Sequence, residues 1–87
     1  MAEQIKTTGA EVLGQYSSPA DFDTCTATGL YKCYGNSALN GPMSKPYGAL
    51  VVFKSNDDGY TVQLFVTKSN PVKLYFRIVT YPWAEVV

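Results

Sequence analysis

Three runs of apolar, β-branched and aromatic residues dominate the second half of the chain. They cover residues 48–53, 60–66 and 73–79, and polar segments rich in turn-forming residues separate them at 55–59 and 68–72. Such runs are typical of β-strands. Connections this short join antiparallel neighbours, because a parallel crossover needs about a dozen residues or more. The pattern therefore predicts an all-β fold built on a small antiparallel meander.

Alternation within the last two runs divides their side chains between two faces. The wholly apolar face comprises Tyr60, Val62, Leu64, Val66, Leu74, Phe76 and Ile78. The mixed face carries polar residues together with Phe65, Tyr75 and Val79. A solvated face rarely carries three large apolar side chains, and a sheet without a second layer would leave them exposed to water. We therefore expect a second layer over the mixed face, formed by the first strand and the N-terminal arm or by another subunit.

Residues 30–34 predict a further strand upstream of the meander, preceded by two turns. Asp21 or Asp23 can accept a hydrogen bond from a backbone N–H one or two residues on, which makes an Asx turn. Gly29 follows Thr28 at the second turn and can take positive φ.

The first 18 residues are expected to form an N-terminal arm for attachment or oligomerisation, and residues 19–87 the folded domain. Ile5, Val12 and Leu13 can share one helical face, but poor helix formers interrupt the pattern. An extended or partly ordered arm is therefore predicted. One short helical turn followed by a linker is the alternative.

The remaining segments are a long loop and a short tail. Residues 35–46 contain many turn formers, so they are either a binding loop or a crossover whose Leu39 and Met43 cap the core. Pro82 predicts a short extended tail after the last strand. Trp83, the single tryptophan of the chain, is expected to seal the open edge of the core.

Length and charge limit the class of protein. With 87 residues there is room for one domain with a thin core. Seven Lys and Arg balance seven Asp and Glu, and no basic block occurs, which argues against a nucleic-acid partner. The sequence contains no apolar run of membrane-spanning length and no signal-peptide pattern. We therefore expect synthesis in a cytosol, no membrane insertion and no general secretion.

The reactive residue types are sparse. The chain has no histidine, which excludes Ser–His and Cys–His nucleophile pairs. Cys25 and Cys33 are too few for a disulfide scaffold or a four-ligand zinc site. We expect buried thiols, with a cross-link between the two as the alternative. The Asp57–Asp58 pair and the Asp21–Asp23 pair are interpreted as turn residues. The sequence thus predicts no enzyme activity, no metal and no cofactor.

Five short motifs follow one another in a particular order. They are Phe22-Asp23-Thr24, Thr28-Gly29-Leu30-Tyr31, Gly48-Ala49-Leu50-Val51-Val52, Gln63-Leu64-Phe65-Val66 and Tyr75-Phe76-Arg77, with Trp83 after them. In this order and spacing they resemble the pyocin-knob-like domain of tail fibres in bacteriophages and phage-derived bacteriocins. The resemblance covers residues 20–86, and Val86 stands where that family has a second tryptophan.

The resemblance implies a non-enzymatic structural protein of a phage virion, made in the host bacterial cytoplasm. It implies a homotrimer that attaches to other virion proteins through the arm and presents loops to a host-surface glycan. It also gives structural roles to Asp23, Gly29, Arg77 and Trp83. A head-fibre or capsid decoration protein is the first alternative function, and a small cytosolic protein-binding inhibitor or adaptor is the second.

The chain is rich in aromatic residues, with seven Tyr, four Phe and one Trp. Tyrosine suits adaptable interfaces because it offers a large area and a hydroxyl with few rotors. The candidate ligand-binding residues lie near loops and strand ends: Asn36, Asn40, Tyr47, Asp57, Asp58, Tyr60 and Tyr81. Tyr47 and Tyr60 are expected to lie on one surface and to stack on a sugar ring. The candidate oligomer-interface residues are Ile5, Val12, Leu13, Phe65, Tyr75 and Val79.

Overall fold

The computed structural model of the chain describes residues 15–55 and 59–86. They form one six-stranded sheet in which the strands lie in chain order. The strands are β1 (Gln15–Ser17), β2 (Gly29–Tyr34), β3 (Tyr47–Lys54), β4 (Thr61–Thr67), β5 (Leu74–Ile78) and β6 (Ala84–Val86). β2 to β6 form an antiparallel meander, and β1 pairs with β2 in parallel. The predicted all-β meander is confirmed.

The described residues include one short 3₁₀-helix, Phe22–Thr24, and no α-helix. None of their helices is long and apolar enough to cross a membrane.

The sequence pattern did not predict the two edge strands, β1 and β6. β1 occupies the end of the predicted arm, and its Gln15 pairs with Leu30 of β2. β6 continues the extended tail and pairs with β5, with Ala84 opposite Phe76. Each edge strand has only three residues, too few to show the alternation by which a strand is recognised. Residues 1–14, including the candidates Ile5, Val12 and Leu13, lie outside the described residues.

A layer of irregular chain, residues 18–28 and 35–46, covers one face of the sheet. The Phe22 N–H donates to the Leu39 carbonyl oxygen, and the Leu39 N–H to the Ala20 carbonyl oxygen, both at 2.9 Å. Met43 packs against the core, as expected, but Leu39 is 65% exposed. The expected capping role of Leu39 is therefore wrong, because this residue joins the two segments through its backbone.

The turn at the start of the covering layer is an Asx turn, as predicted. Asp21 Oδ1 accepts a hydrogen bond from the Asp23 N–H at 2.9 Å and caps the 3₁₀-helix. At the second turn the expectation was wrong in one respect. Gly29 is buried opposite Val52 in β2, and its φ is not positive. It is a close-packed strand residue and not a turn residue with special backbone geometry.

A second layer lies over the mixed face, as expected, but residues 18–28 and 35–46 form it instead of the first strand and the N-terminal arm. The covered face consists of the mixed positions: Phe65, Leu50 and Val52 are completely buried there, together with Gln63. The wholly apolar positions lie on the opposite, uncovered face. Phe65 therefore belongs to the internal core and cannot act as an outer interface residue. The covering layer lies on the face that carries polar side chains, because polar groups that are buried between the layer and the sheet need hydrogen-bond partners.

Candidate functional site

The covered face has a polar network at its centre. Arg77 Nε donates to Gln63 Oε1 at 2.8 Å, and Gln63 Nε2 donates to the carbonyl oxygens of Phe22 at 2.7 Å and Cys25 at 2.9 Å. Arg77 Nη2 lies 3.0 Å from Asp23 Oδ1, an ion pair that lacks the alignment of a hydrogen bond. Gln63 and Arg77 are buried, so this network fastens the covering layer to β4 and β5.

Trp83, in the connection between β5 and β6, packs against the same network. The Arg77 guanidinium lies 4.8 Å from the centre of the Trp83 ring, which meets Phe22 edge-on at 5.9 Å. Trp83 Nε1 donates to the Asn40 carbonyl oxygen at 2.9 Å. The structure thus brings Asp23, Arg77 and Trp83 together, and their contacts are with the chain itself.

Two of the candidate ligand-binding residues surround this network. Asn40 Nδ2 donates to Asp21 Oδ1 at 2.9 Å. This bond and the Asp23 N–H hold the pKa of the Asp21 carboxyl below its usual range. Asn40 therefore holds the loop in place, whereas Tyr81 has a side chain that is 65% exposed.

The predicted surface containing both Tyr47 and Tyr60 is not formed. Tyr47 begins β3, where its carbonyl oxygen accepts from the Lys68 N–H at 2.8 Å. Tyr60 precedes β4, where its carbonyl oxygen accepts from the Ser55 N–H at 2.8 Å. Because β3 and β4 are antiparallel, Tyr60 lies opposite Ser55, at the other end of β3 from Tyr47, and the two tyrosines are about 26 Å apart at roughly 3.3 Å per residue. Asp57 and Asp58 lie outside the described residues.

A cavity of about 370 Å³ opens at the Tyr47 end of the sheet, on the uncovered face. Its lining comprises Lys32, Cys33, Tyr34, Tyr47, Gly48, Ala49, Val66, Thr67 and Lys68. The rings of Tyr34 and Tyr47 lie 6.3 Å apart between centres and are inclined at 82°. Lys68 Nζ lies 5.7 Å from the centre of the Tyr47 ring. We name this feature the tyrosine cavity.

Sequence reasoning found Tyr47 but missed Lys32, Tyr34 and Lys68 as its neighbours. Lys32 and Tyr34 belong to β2 and Lys68 follows β4, and the register of the sheet brings them to Tyr47 at the start of β3. Gly48 permits the close approach of β3 and β4 here, because a Cβ at this residue would lie 2.1 Å from the Val66 carbonyl oxygen. Asn36 is exposed in the turn that follows β2, where the Gly35 N–H donates to the Pro46 carbonyl oxygen at 2.8 Å.

The remainder of the uncovered face is apolar across the three central strands. Its side chains are Ala49, Val51 and Phe53 of β3, Val62, Leu64 and Val66 of β4, and Leu74, Phe76 and Ile78 of β5. All nine are half-buried or exposed, with Phe53 at 60% and Phe76 at 44%. No charged side chain interrupts them within these strands. We name these nine residues the apolar face.

Two further interface candidates lie elsewhere. Tyr75 stands on the covered face and packs against the core, while Val79 follows β5 and donates its N–H to the Thr61 carbonyl oxygen at 2.9 Å. Both are half-buried. Neither forms part of the apolar face.

The cysteines are free buried thiols, as expected. Burial raises the pKa of both Cys25 and Cys33. They therefore stay protonated at neutral pH and are weak nucleophiles. Within residues 15–55 and 59–86, no three His, Cys, Asp or Glu side chains lie close enough together to hold a metal ion.

No protein-family model matches the chain, and no characterised protein or solved structure is significantly similar to it. The resemblance to the pyocin-knob-like domain therefore depends on the five motifs alone and stays a prediction.

Proposed function

We propose that the chain is a non-enzymatic structural and adhesion module that works as a self-associated assembly on a phage-type particle, similar to a fibre knob. The observation that carries the proposal is the apolar face. A sheet that already buries one face under its own loops leaves nine apolar side chains half-buried or exposed on the other face.

The size of the apolar face suits an interface between subunits. The three strands that carry the apolar face, β3 to β5, span about 14 Å across and about 20 Å along, which gives a planar area of roughly 280 Å². Exposed apolar patches of a few hundred Å² or more mark interaction sites, and a stable interface buries about 800 Å² on each partner. The apolar face has the size of an interaction patch, and an interface of about 800 Å² has to include the surrounding residues of β2 and β6 as well.

The chemistry of the apolar face favours a second copy of the same chain as its partner. The face offers no charge across β3, β4 and β5, so a charged partner would lose hydration without gaining a counter-charge. The apolar faces of further copies offer matching chemistry, and identical chains can bury these faces together around a shared symmetry axis. The resemblance to fibre knobs implies that the number of copies is three.

In this proposal the module is synthesised in a bacterial cytoplasm and then becomes part of the virion. In this proposal residues 1–18 attach it to other virion proteins, and the opposite loops and strand ends meet a host-surface glycan. Several copies on one particle bind the host surface at the same time, so that weak individual contacts give a high overall avidity.

The experiment is a mass measurement by light scattering at micromolar concentration. We expect three times the mass of one chain. Phe76→Lys is expected to give a folded monomer, because it places a charge in the centre of the apolar face. Val72→Lys is the matched control, because Val72 is 64% exposed outside the strands. A native protein that is monomeric at this concentration overturns the proposal, and so does a Phe76→Lys protein that assembles like the native one.

Adhesion is tested separately by adding the assembled protein to host cells. Competition with particle adsorption is the expected result. An assembly that binds particles but not cells contradicts adhesion and favours capsid decoration.

A further inference from the structure

We propose that the tyrosine cavity binds an acidic sugar, meaning a saccharide ring that carries a carboxylate or phosphate group. The proposal rests on the adhesion function above and gives that function a site and a ligand class.

The two rings of the tyrosine cavity supply the surfaces that a sugar ring needs. Tyr34 is 58% exposed and Tyr47 is 47% exposed. Their 82° inclination gives a corner of two ring faces instead of a closed stack. A pyranose has one apolar C–H face, which packs on an aromatic ring while its hydroxyls stay in contact with polar groups. The volume, about 370 Å³, lies within the range of small-molecule sites, about 300–1,000 Å³.

The two lysines of the cavity lack a carboxylate partner among the described residues. The three described carboxylates are engaged or distant: Asp21 accepts from Asn40, Asp23 pairs with Arg77, and Glu85 lies opposite Tyr75 in β6. Lys68 Nζ lies 5.7 Å from the centre of the Tyr47 ring, and Lys32 lines the same cavity. No carboxylate of residues 15–55 or 59–86 supplies a counter-charge to these lysines, and an anionic substituent on a bound sugar supplies one.

The same end of the sheet carries further positive charge. Four of the six Lys and Arg residues in the described ranges lie there, namely Lys32, Lys45, Lys68 and Lys73. Lys54 stands at the other end of β3, where its N–H donates to Thr28 Oγ1. The chain has no net charge, so this asymmetry is local. It attracts anions to the cavity and away from the other end of the sheet.

The position of the cavity is compatible with assembly through the apolar face. The cavity lies at a corner of the uncovered side, where Ala49 and Val66 end the apolar strands and the tyrosines and lysines begin. Interfaces have apolar centres and polar, solvent-accessible rims. A ligand site at the rim of the assembly stays open to a host surface.

The experiment is an NMR titration of the isolated protein with three probes: trigalacturonate, glucose 6-phosphate and the neutral maltotriose. We expect saturable shifts at Lys32, Tyr34, Tyr47 and Lys68 with a charged probe, and none with maltotriose at the same concentration. The ratio of the two charged affinities shows whether the site takes a carboxylate or a phosphate. Binding is expected to weaken as salt is added.

Variants test the individual contacts. Lys68→Gln and Tyr47→Leu are each expected to weaken binding about tenfold. Lys54→Gln is the matched control and is expected to stay within about twofold of the native affinity. The proposal is overturned by equal binding of maltotriose, by an equal loss in Lys54→Gln, or by the absence of shifts at the cavity with both charged probes.

The titration needs neither cells nor particles, so its failure is distinguishable from failure of the proposed function. A monomer that binds the charged probe rejects the assembly but keeps the site. An assembly that adsorbs to cells and ignores all three probes rejects the site but keeps the adhesion function.

Discussion

The two faces of the sheet differ in a way that inverts the usual expectation. The covered face buries Gln63 and Arg77 beside Phe65, whereas the uncovered face carries the nine residues of the apolar face across its three central strands. The faces alternate along the same strands, so the difference reflects what lies above them. The comparison teaches that a covering layer is selected by hydrogen-bond partners as well as by hydrophobicity.

The physical reason lies in what the loops can offer. Residues 18–28 and 35–46 bring backbone carbonyl groups and the Asp23 carboxylate, all of which need donors once they leave water. Gln63 and Arg77 supply those donors from the sheet. An all-apolar face would leave the same carbonyl groups unsatisfied, at about 1–3 kcal/mol for each buried group. The apolar face is instead suited to another sheet, whose backbone groups are already paired.

Of the substitutions on the covered face, Arg77→Ala is expected to have the largest effect on stability. We expect a loss of about 3–5 kcal/mol in the free energy of unfolding, because Asp23 loses its ion-pair partner and Gln63 loses a donor. In a small domain such a loss approaches the whole stability. Chemical denaturation measures it, with Lys54→Ala as the exposed control. A loss below about 1 kcal/mol would show that the network does not hold the covering layer.

A pair of substitutions at adjacent residues of β4 compares the faces directly. Gln63→Leu makes the covered face more apolar, and we expect it to cost about 2–3 kcal/mol, because two carbonyl groups and Arg77 Nε lose their partner. Leu64→Gln makes the uncovered face more polar, and we expect less than about 1 kcal/mol in the stability of one chain.

The same pair has opposite consequences for assembly. Leu64→Gln is expected to weaken self-association, which light scattering measures, while Gln63→Leu leaves the apolar face unchanged. Equal costs of the two substitutions in urea unfolding would contradict the assignment of the faces.

Trp83→Ala tests the border of the covered face. The ring is half-buried, so we expect the free energy of unfolding to fall by about 2–3 kcal/mol, less than for a fully buried aromatic ring. Trp83→Phe keeps the ring contacts and loses the bond to the Asn40 carbonyl oxygen, for which we expect about 1 kcal/mol. The melting temperatures of the two variants check the order, and an unchanged melting temperature in Trp83→Ala would place the ring outside the core.

The smallest expected effect is an acid response of the turn at Asp21. The folded pKa of this carboxyl lies below 3.8, its ordinary value, because Asn40 and the Asp23 N–H donate to the charged form. A lowered folded pKa contributes stability above the ordinary value, and that stability is lost as pH falls through the folded value. Asp21→Asn is therefore expected to flatten the fall in melting temperature as the pH drops from about 5 to below 3.8. Identical pH profiles would exclude this role.

The interior strands could be predicted from the sequence because their alternation is long and their turns are short. β2 to β5 fall within about one residue of the predicted runs. The Asx turn could also be predicted, because Asp21 accepts its hydrogen bond from a residue only two positions away. The edge strands β1 and β6 were missed because each depends on an existing edge with which to pair. The candidate site was found only in part, because Tyr34, Lys32 and Lys68 meet Tyr47 through the register of three strands.

The sequence by itself determined the alternation of side chains along each strand, the antiparallel order and the absence of histidine chemistry. These depend on residue type and on separations of a few residues. Only the tertiary structure decided which face the loops cover, because that choice depends on whether Phe22 and Cys25 carbonyl groups find Gln63 across about 40 residues of chain. Tertiary structure alone also separated Tyr47 from Tyr60 and joined Tyr47 to Tyr34, because the direction and register of neighbouring strands decide which side chains meet.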